Sequence, residues 1–103
     1  MSNIEIFNFN GANVRTMMIN GEPWWVAKDV CDVLEINNSR MATSKLVDQD
    51  RGVSSIDTPG GKQNTSVVNE SGLYDLILDS RKPQAKAFRK WITSEVIPSI
   101  RKT

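Results

Sequence analysis

Histidine is absent from this 103-residue sequence, and cysteine occurs once, as Cys31. A single cysteine cannot form an intrachain disulfide, which excludes a small secreted scaffold held together by such bonds. One thiol without histidine leaves no plausible zinc or haem site. General acid–base catalysis would have to rest on carboxylates, lysine or tyrosine. We therefore predict no metal, no cofactor and no catalytic site, and we expect a protein that is not an enzyme.

Long apolar runs are also missing. No stretch approaches the roughly 20 apolar residues that a transmembrane helix needs. Residues 1–11 have neither the basic region nor the apolar core of a signal peptide. The composition, with 39% hydrophobic and 24% charged residues, is that of an ordinary globular domain. The sequence thus predicts one cytoplasmic domain.

Net charge is small as well, because 13 basic and 12 acidic side chains leave +1. The charge is unevenly distributed, since residues 81–103 carry seven basic side chains and one acidic. On a helical wheel, four of these basic residues form a ridge about 110° from the apolar stripe. The ridge consists of Lys82, Lys86, Arg89 and Lys90. Such a ridge could neutralise phosphates, or it could be a solvated helix face.

Local patterns predict an α+β domain: an N-terminal antiparallel β-meander, two short helices, a β-hairpin and two C-terminal helices. The strongest turn signal is Asn20-Gly21, because both residue types tolerate positive φ. Pro98 is expected to bend or fray the last helix, because it cannot donate a backbone hydrogen bond. The predicted elements span residues 4–26 (the meander), 26–35 and about 40–47 (the short helices) and 53–68 (the hairpin), and the last two helices start at Asn69 and Pro83.

The two short helices are laid out like a helix-turn-helix, whose second helix could enter a major groove. That second helix would be capped by Asn38 or Ser39 and would turn Met41, Leu46 and Val47 inward. A helical hairpin that packs on the sheet explains the same pattern. On sequence pattern alone, the helical hairpin is the favoured interpretation.

Trp24-Trp25 is the densest aromatic feature of the sequence. In a strand the two rings point to opposite faces, so we expect one ring in the core and the other partly exposed. The second ring is predicted to be covered by the last helix, although it could also stack on a base or anchor a partner.

Three carboxylates, Asp29, Asp32 and Glu35, follow one another along the first helix. No histidine or second carboxylate cluster accompanies them, so a catalytic role has little support. We predict that they form a solvated helix face. Cys31 lies in an apolar setting and is predicted to be a structural thiol.

Four blocks of the sequence form a pattern that is weak in each part and specific as an ordered set. They are Pro23-Trp24-Trp25-Val26-Ala27-Lys28-Asp29-Val30 with Leu34; Thr58-Pro59-Gly60-Gly61 with Gln63; Val68-Asn69-Glu70-Ser71-Gly72-Leu73-Tyr74 with Leu76 and Ile77; and Ala85, Phe88-Arg89-Lys90-Trp91 and Val96-Ile97-Pro98-Ser99-Ile100-Arg101. Together they resemble the N-terminal domain of the BRO family, over nearly the whole chain.

The resemblance implies a DNA-binding domain of a phage or prophage antirepressor, a transcriptional regulator of the lysogenic–lytic switch in a bacterial host cell. Larger family members carry a second, C-terminal domain, so residues 1–103 are expected to be one BRO-N-like domain without that part. The implied partner is double-stranded DNA, with homodimerisation left open. Family members commonly have glycine where this sequence has Glu35, which bears on the turn after the first helix.

Candidate DNA contacts are basic and small polar side chains on the second short helix, the hairpin and the last helix. Those expected at phosphates are Arg40, Lys45, Arg51, Lys62, Lys82, Lys86, Arg89 and Lys90. Those expected at base edges are Arg40, Thr43, Ser44 and Gln63. The alternative function is a protein-interaction module that sequesters a phage repressor. Its anchors would be Trp24 or Trp25, Tyr74 and Trp91.

Overall fold

Five antiparallel strands form a single sheet in this computed structural model, which describes residues 4–100. The strands are β1 (Ile4–Phe9), β2 (Ala12–Ile19), β3 (Glu22–Val26), β4 (Arg51–Thr58) and β5 (Gly61–Asn69). Their order across the sheet is β1-β2-β3-β5-β4. The predicted meander and hairpin are both present, and the pairing of β3 with β5 joins them into one sheet.

Helices pack on one face of the sheet. They are α1 (Ala27–Val33), α2 (Ser39–Ser44), α3 (Glu70–Asp79), α4 (Gln84–Trp91) and α5 (Ile97–Ile100). A 3-10 turn over Asp48–Asp50 precedes β4, and a π-helical segment over Ile92–Val96 joins α4 to α5. The predicted α+β class is confirmed. Within residues 4–100, no helix has the length and apolar character required to cross a membrane.

Side-chain caps begin two of the helices as predicted. The Asn38 side chain accepts a hydrogen bond from the amide of Met41 at 3.0 Å, and the Asn69 side chain accepts one from Gly72 at 2.9 Å. Each cap satisfies an amide that has no partner within its helix. At the other end of the chain, the amide of Ile97 donates to the carbonyl of Ile92, five residues back. This change of hydrogen-bond register stands just ahead of Pro98, where the sequence predicts a disturbance.

The main core lies between the sheet and the helices. Trp25 and Val68 from the sheet pack with apolar residues of α1, α3 and α4. The predicted helical stripes are confirmed as buried. They consist of Val30, Val33 and Leu34; Leu73, Leu76 and Ile77; and Ala85, Phe88, Ile92 and Val96.

A smaller core lies on the opposite face of the sheet. Met17, Val26, Ile56 and Val67 are buried there, and the half-buried Trp24 packs against them. The prediction that one tryptophan ring is in the core and the other partly exposed is confirmed. The prediction that the last helix covers Trp24 is wrong, because the ring lies on the face away from the core of Trp25.

Asp29 corrects the prediction of a solvated acidic face. Its carboxylate is largely buried and accepts three hydrogen bonds from Arg15: from the backbone amide at 2.9 Å, from Nε at 2.8 Å and from Nη2 at 3.0 Å. The pairing of β2 with β3 stops at Thr16, next to Arg15, because α1 begins directly after β3. The Asp29 carboxylate therefore accepts the backbone hydrogen bond that a strand partner of Arg15 would otherwise accept. The bond to Asp29 raises the pKa of the Arg15 guanidinium above its ordinary value.

Two inward positions predicted on the second short helix are also wrong. Met41 is 58% exposed and Val47 is 57% exposed, whereas Leu46 is buried as predicted. The helix ends at Ser44, so its period does not extend to residues 46 and 47. Within α2 the residues turned inward are Ala42 and Thr43.

Glu35 occupies the left-handed position that ends α1, with φ of +56°. The amide of Glu35 donates to the carbonyl of Asp32 at 3.3 Å, and that of Ile36 donates to the carbonyl of Cys31 at 2.8 Å. These two bonds form a Schellman motif, in which glycine is the usual residue at the left-handed position. The Glu35 side chain compensates in part, since it accepts from Gln84 and lies 3.8 Å from the Lys82 ammonium.

A Glu35→Gly variant should therefore be more stable by about 1 kcal/mol, because relief of backbone strain exceeds the loss of exposed contacts. Urea unfolding measures the change. Glu35→Ala is the matched control, since it removes the same side-chain contacts and keeps the strain. A glycine variant no more stable than the alanine variant would contradict the prediction.

Cys31 is buried, and burial together with the nearby Asp32 raises the pKa of its thiol to about 11. The thiolate is the reactive form. Iodoacetamide at pH 8 should therefore label the native protein far more slowly than the urea-unfolded protein, as measured by mass spectrometry. Equal labelling rates would contradict burial of the thiol.

Candidate nucleic-acid interface

Helix α2 presents Arg40 and Ser44 to solvent, whereas Thr43 is only 7% exposed. The Thr43 hydroxyl donates to the carbonyl of Arg40 at 3.1 Å, and the Ser44 hydroxyl donates to that of Met41 at 2.6 Å. Both hydroxyl protons are thus used within the helix. Lys45 lines a separate recess with Met41 and Asp79, so it lies apart from the other candidates.

A groove runs between α2 and the hairpin β4–β5. It is lined by Arg40, Thr43, Ser44, Asp48, Arg51, Gly52, Val53 and Ser66. Arg51 joins the two walls, because its Nη1 donates to the carbonyl of Thr43 at 3.4 Å and its Nη2 contacts Oδ1 of Asp48 at 2.9 Å. The fold therefore brings four of the sequence candidates, Arg40, Thr43, Ser44 and Arg51, to one place.

Lys28 extends this groove, and sequence reasoning did not include it among the candidates. A second recess next to the first is lined by Lys28, Ser39, Arg40, Thr43, Asn64, Thr65 and Ser66. Its position follows from the pairing of β3 with β5, which sets the start of α1 beside the hairpin. The available sequence signal was only a lysine on the polar side of α1.

The two candidates on the hairpin tip point in opposite directions. Lys62 pairs with Asp57, whereas Gln63 pairs with Ile56 on the next rung of the ladder. Directly paired residues share a face, and neighbouring rungs alternate. Lys62 therefore lies on the same face as Ser66 and the groove, and Gln63 lies on the face of the buried Ile56.

The four cations of the basic ridge are exposed but lie elsewhere. Lys86, Arg89 and Lys90 are on α4, whereas Lys82 precedes the helix, which begins at Gln84, so the predicted helical ridge is reduced to three residues. Phe88 and Trp91 of α4 pack against Phe9 of β1, with ring centroids 5.2 and 5.1 Å from that of Phe9. β1 is the edge strand opposite β4, and five strands span about 19 Å from edge to edge. Lys82 approaches Glu35, while no ion pair within residues 4–100 engages Lys86, Arg89 or Lys90.

The aromatic anchors of the alternative function belong mostly to the cores. Trp25 is fully buried, and Trp91 packs among Phe7, Phe9 and Phe88. Trp24 is half-buried in the smaller core. These rings stabilise the domain, so they offer little surface to a partner.

The fold and this groove define a class of protein: a small α+β domain with helices on one sheet face and a polar, partly basic surface where α2 meets an edge hairpin. The model of the BRO family N-terminal domain matches residues 13–98, and the chain belongs to that family. The resemblance identified from the sequence is thereby confirmed.

Relatives occur in a bacterium and in invertebrate viruses. A Haemophilus influenzae protein described as uncharacterized is 42% identical over 100 residues, which cover 94% of this chain and 49% of the relative. Protein 289L of Invertebrate iridescent virus 6, described as containing a Bro-N domain, is 32% identical over 99 residues, covering 78% of this chain and 24% of the relative. The chain thus spans about half the length of the bacterial relative and about a quarter of the viral one. No solved structure matches the chain significantly.

Proposed function

We propose that this chain is the DNA-binding domain of a phage or prophage antirepressor, a non-enzymatic regulator of the lysogenic–lytic switch that acts in the cytoplasm of the bacterial host. Membership of the BRO family supports the regulatory role. The observation that carries DNA binding is the groove between α2 and hairpin β4–β5. Exposed cations flank uncharged hydrogen-bonding groups there, and the Asp48 carboxylate in its wall is paired with Arg51.

The groove has the two kinds of group that a DNA interface requires. Exposed cations, Lys28, Arg40 and Lys62, can contact phosphates and position the domain. Between them lie the amide of Asn64 and the hydroxyl of Ser66, which are suited to base edges. The α4 ridge carries further exposed cations. We propose that they add phosphate contacts outside the main interface and contribute less to binding than the groove does.

Salt titration of duplex binding tests this proposal. Each phosphate contact contributes about −0.9 to the slope of log K against log salt. The triple variant Lys28→Ala/Arg40→Ala/Lys62→Ala should therefore flatten the slope by about 2.7. A wild-type protein that fails to bind duplex DNA at low salt, or that binds with a flat slope, would overturn DNA binding.

The ridge provides a control of equal charge. Lys86→Ala/Arg89→Ala/Lys90→Ala also removes three exposed cations, so it lowers the net charge by the same amount. We expect it to flatten the slope by less than half as much as the groove triple. An equal or larger effect of the ridge triple would contradict placement of the main interface at the groove.

Sequestration of a phage repressor stays the alternative function. Capture of a repressor that survives high salt and added DNA would support it, and both triple variants should then capture the repressor as well as the wild type does.

A further inference from the structure

We propose that the outward face of hairpin β4–β5, rather than helix α2, is the element that reads base edges in the major groove. This inference rests on the proposed DNA-binding function and names the part of the surface that gives sequence preference.

Three directly paired rungs make up that face: Val53 with Ser66, Ser55 with Asn64, and Asp57 with Lys62. All six side chains are exposed, and Val53 is 70% exposed although it is apolar. The intervening positions face the other way, where Ile56 and Val67 are buried in the smaller core. One face of the hairpin is therefore anchored to the smaller core. The opposite face is exposed towards the tip and borders α1 and α2 only at its base.

The outward polar groups are also chemically available. Within residues 4–100, no side-chain hydrogen bond engages Ser55, Lys62, Asn64 or Ser66. The side-chain hydrogen bond at the tip of the hairpin is that of Thr58, whose hydroxyl donates to the carbonyl of Gly61 at 2.7 Å. On α2, by contrast, the hydroxyl protons of Thr43 and Ser44 are bound to backbone carbonyls. Because α2 has six residues, it is about 9 Å long and offers little length to a groove.

The dimensions of the hairpin suit the major groove, which admits a two-stranded β-ribbon. Side chains on one face of a strand recur about every 6.7 Å, close to twice the 3.4 Å rise of B-DNA. Successive rungs would therefore meet every second base pair. Lys28 and Arg40 lie at the base of the ribbon, beside Asn64 and Ser66, where phosphates would flank the groove.

The side chains on the rungs match particular base edges. Asparagine makes a bidentate contact with adenine, serine can bond to several bases, and an apolar group can cover the thymine methyl. We therefore assign adenine recognition to Asn64 and thymine-methyl contact to Val53. This pair of assignments predicts a preferred site rich in A·T pairs at the positions that the ribbon covers.

Selection from a randomised duplex library, performed with the full chain, tests the assignment. Asn64→Ala should relax the preference at one position and weaken binding to the wild-type site by roughly 5- to 150-fold. Its affinity for random duplex and its salt slope should stay unchanged. Arg40→Ala should weaken binding to all sequences and leave the selected motif intact.

Ser44→Ala is the matched control on α2, because it too removes one exposed polar side chain. A motif altered by Ser44→Ala but not by Asn64→Ala would overturn the proposal. Wild-type binding without any selected preference would overturn it as well, while leaving DNA binding itself intact. Failure of the wild type to bind duplex DNA would instead remove the proposed function and this inference together.

Discussion

A Gly72→Ala variant is expected to lose about 2 kcal/mol of unfolding free energy, because a methyl group at this position meets backbone that cannot move aside. The added Cβ would lie 2.7 Å from the carbonyl oxygen of Asp50 and 3.2 Å from Cδ1 of Leu46. Real Cβ atoms essentially never approach a heavy atom at 2.7 Å. The first turn of α3 would have to separate from the 3-10 turn over Asp48–Asp50.

Two effects oppose each other at Gly72. Alanine is favoured over glycine inside a helix by about 1 kcal/mol, so propensity alone predicts a gain. The Asn69 side chain holds Gly72 close to Asp50, because it accepts from the amide of Gly72 and donates to Oδ1 of Asp50 at 3.2 Å. Relaxing the clash would weaken these bonds as well. We therefore expect the steric cost to exceed the gain in propensity.

Urea unfolding compared with a second glycine variant measures this effect. At Gly60 an added Cβ has Thr58 Oγ1 at 3.9 Å as its nearest neighbour, and the backbone φ is not in the left-handed region. Gly60→Ala should therefore change stability by less than about 0.5 kcal/mol. A Gly72→Ala variant as stable as Gly60→Ala would show that the turn at residues 48–50 yields readily.

Local features of this fold could be predicted because their physics is local. Asn20 and Gly21 have φ of +52° and +80°, as a tight hairpin turn requires, and Asn69 caps α3 through an amide three residues away. The apolar stripes of α1, α3 and α4 follow from helical period alone. The family resemblance likewise depended on residues in a fixed order along the chain.

Errors and omissions concentrate where distant segments meet. The close approach of Gly72 to Asp50, the position of Lys28 beside Ser66 and the burial of Asp29 all depend on how β2, β3 and β5 pair. The periodicity of apolar residues along the sequence does not specify which of these strands pair with each other. The basic residues of α4 could be identified from the sequence, but the packing of α4 on β1, at the sheet edge opposite β4, could not.

Loss of the Asp29 carboxylate is the other large effect that we expect. Asp29→Ala should cost about 2 kcal/mol of unfolding free energy, because three donors of Arg15 lose their acceptor. Breaking a fully buried ion pair costs more, roughly 3–5 kcal/mol. The smaller value applies here because the Arg15 side chain is 30% exposed and water can partly replace the carboxylate.

A double-mutant cycle separates the ion pair from the backbone bond. Arg15→Met removes the guanidinium but keeps the backbone amide that Asp29 also accepts from, so the carboxylate retains one partner at 2.9 Å. The coupling energy from Arg15→Met, Asp29→Ala and the double variant should be at least about 1 kcal/mol. The rest of the stability lost in Asp29→Ala is then due to the hydrogen bond from the Arg15 backbone amide. Asp29→Asn should fall between wild type and Asp29→Ala, because its carbonyl oxygen can still accept the backbone bond. A coupling energy near zero would mean that Asp29 acts only as a cap for β2, and the guanidinium contact would then contribute no more than an ordinary surface ion pair.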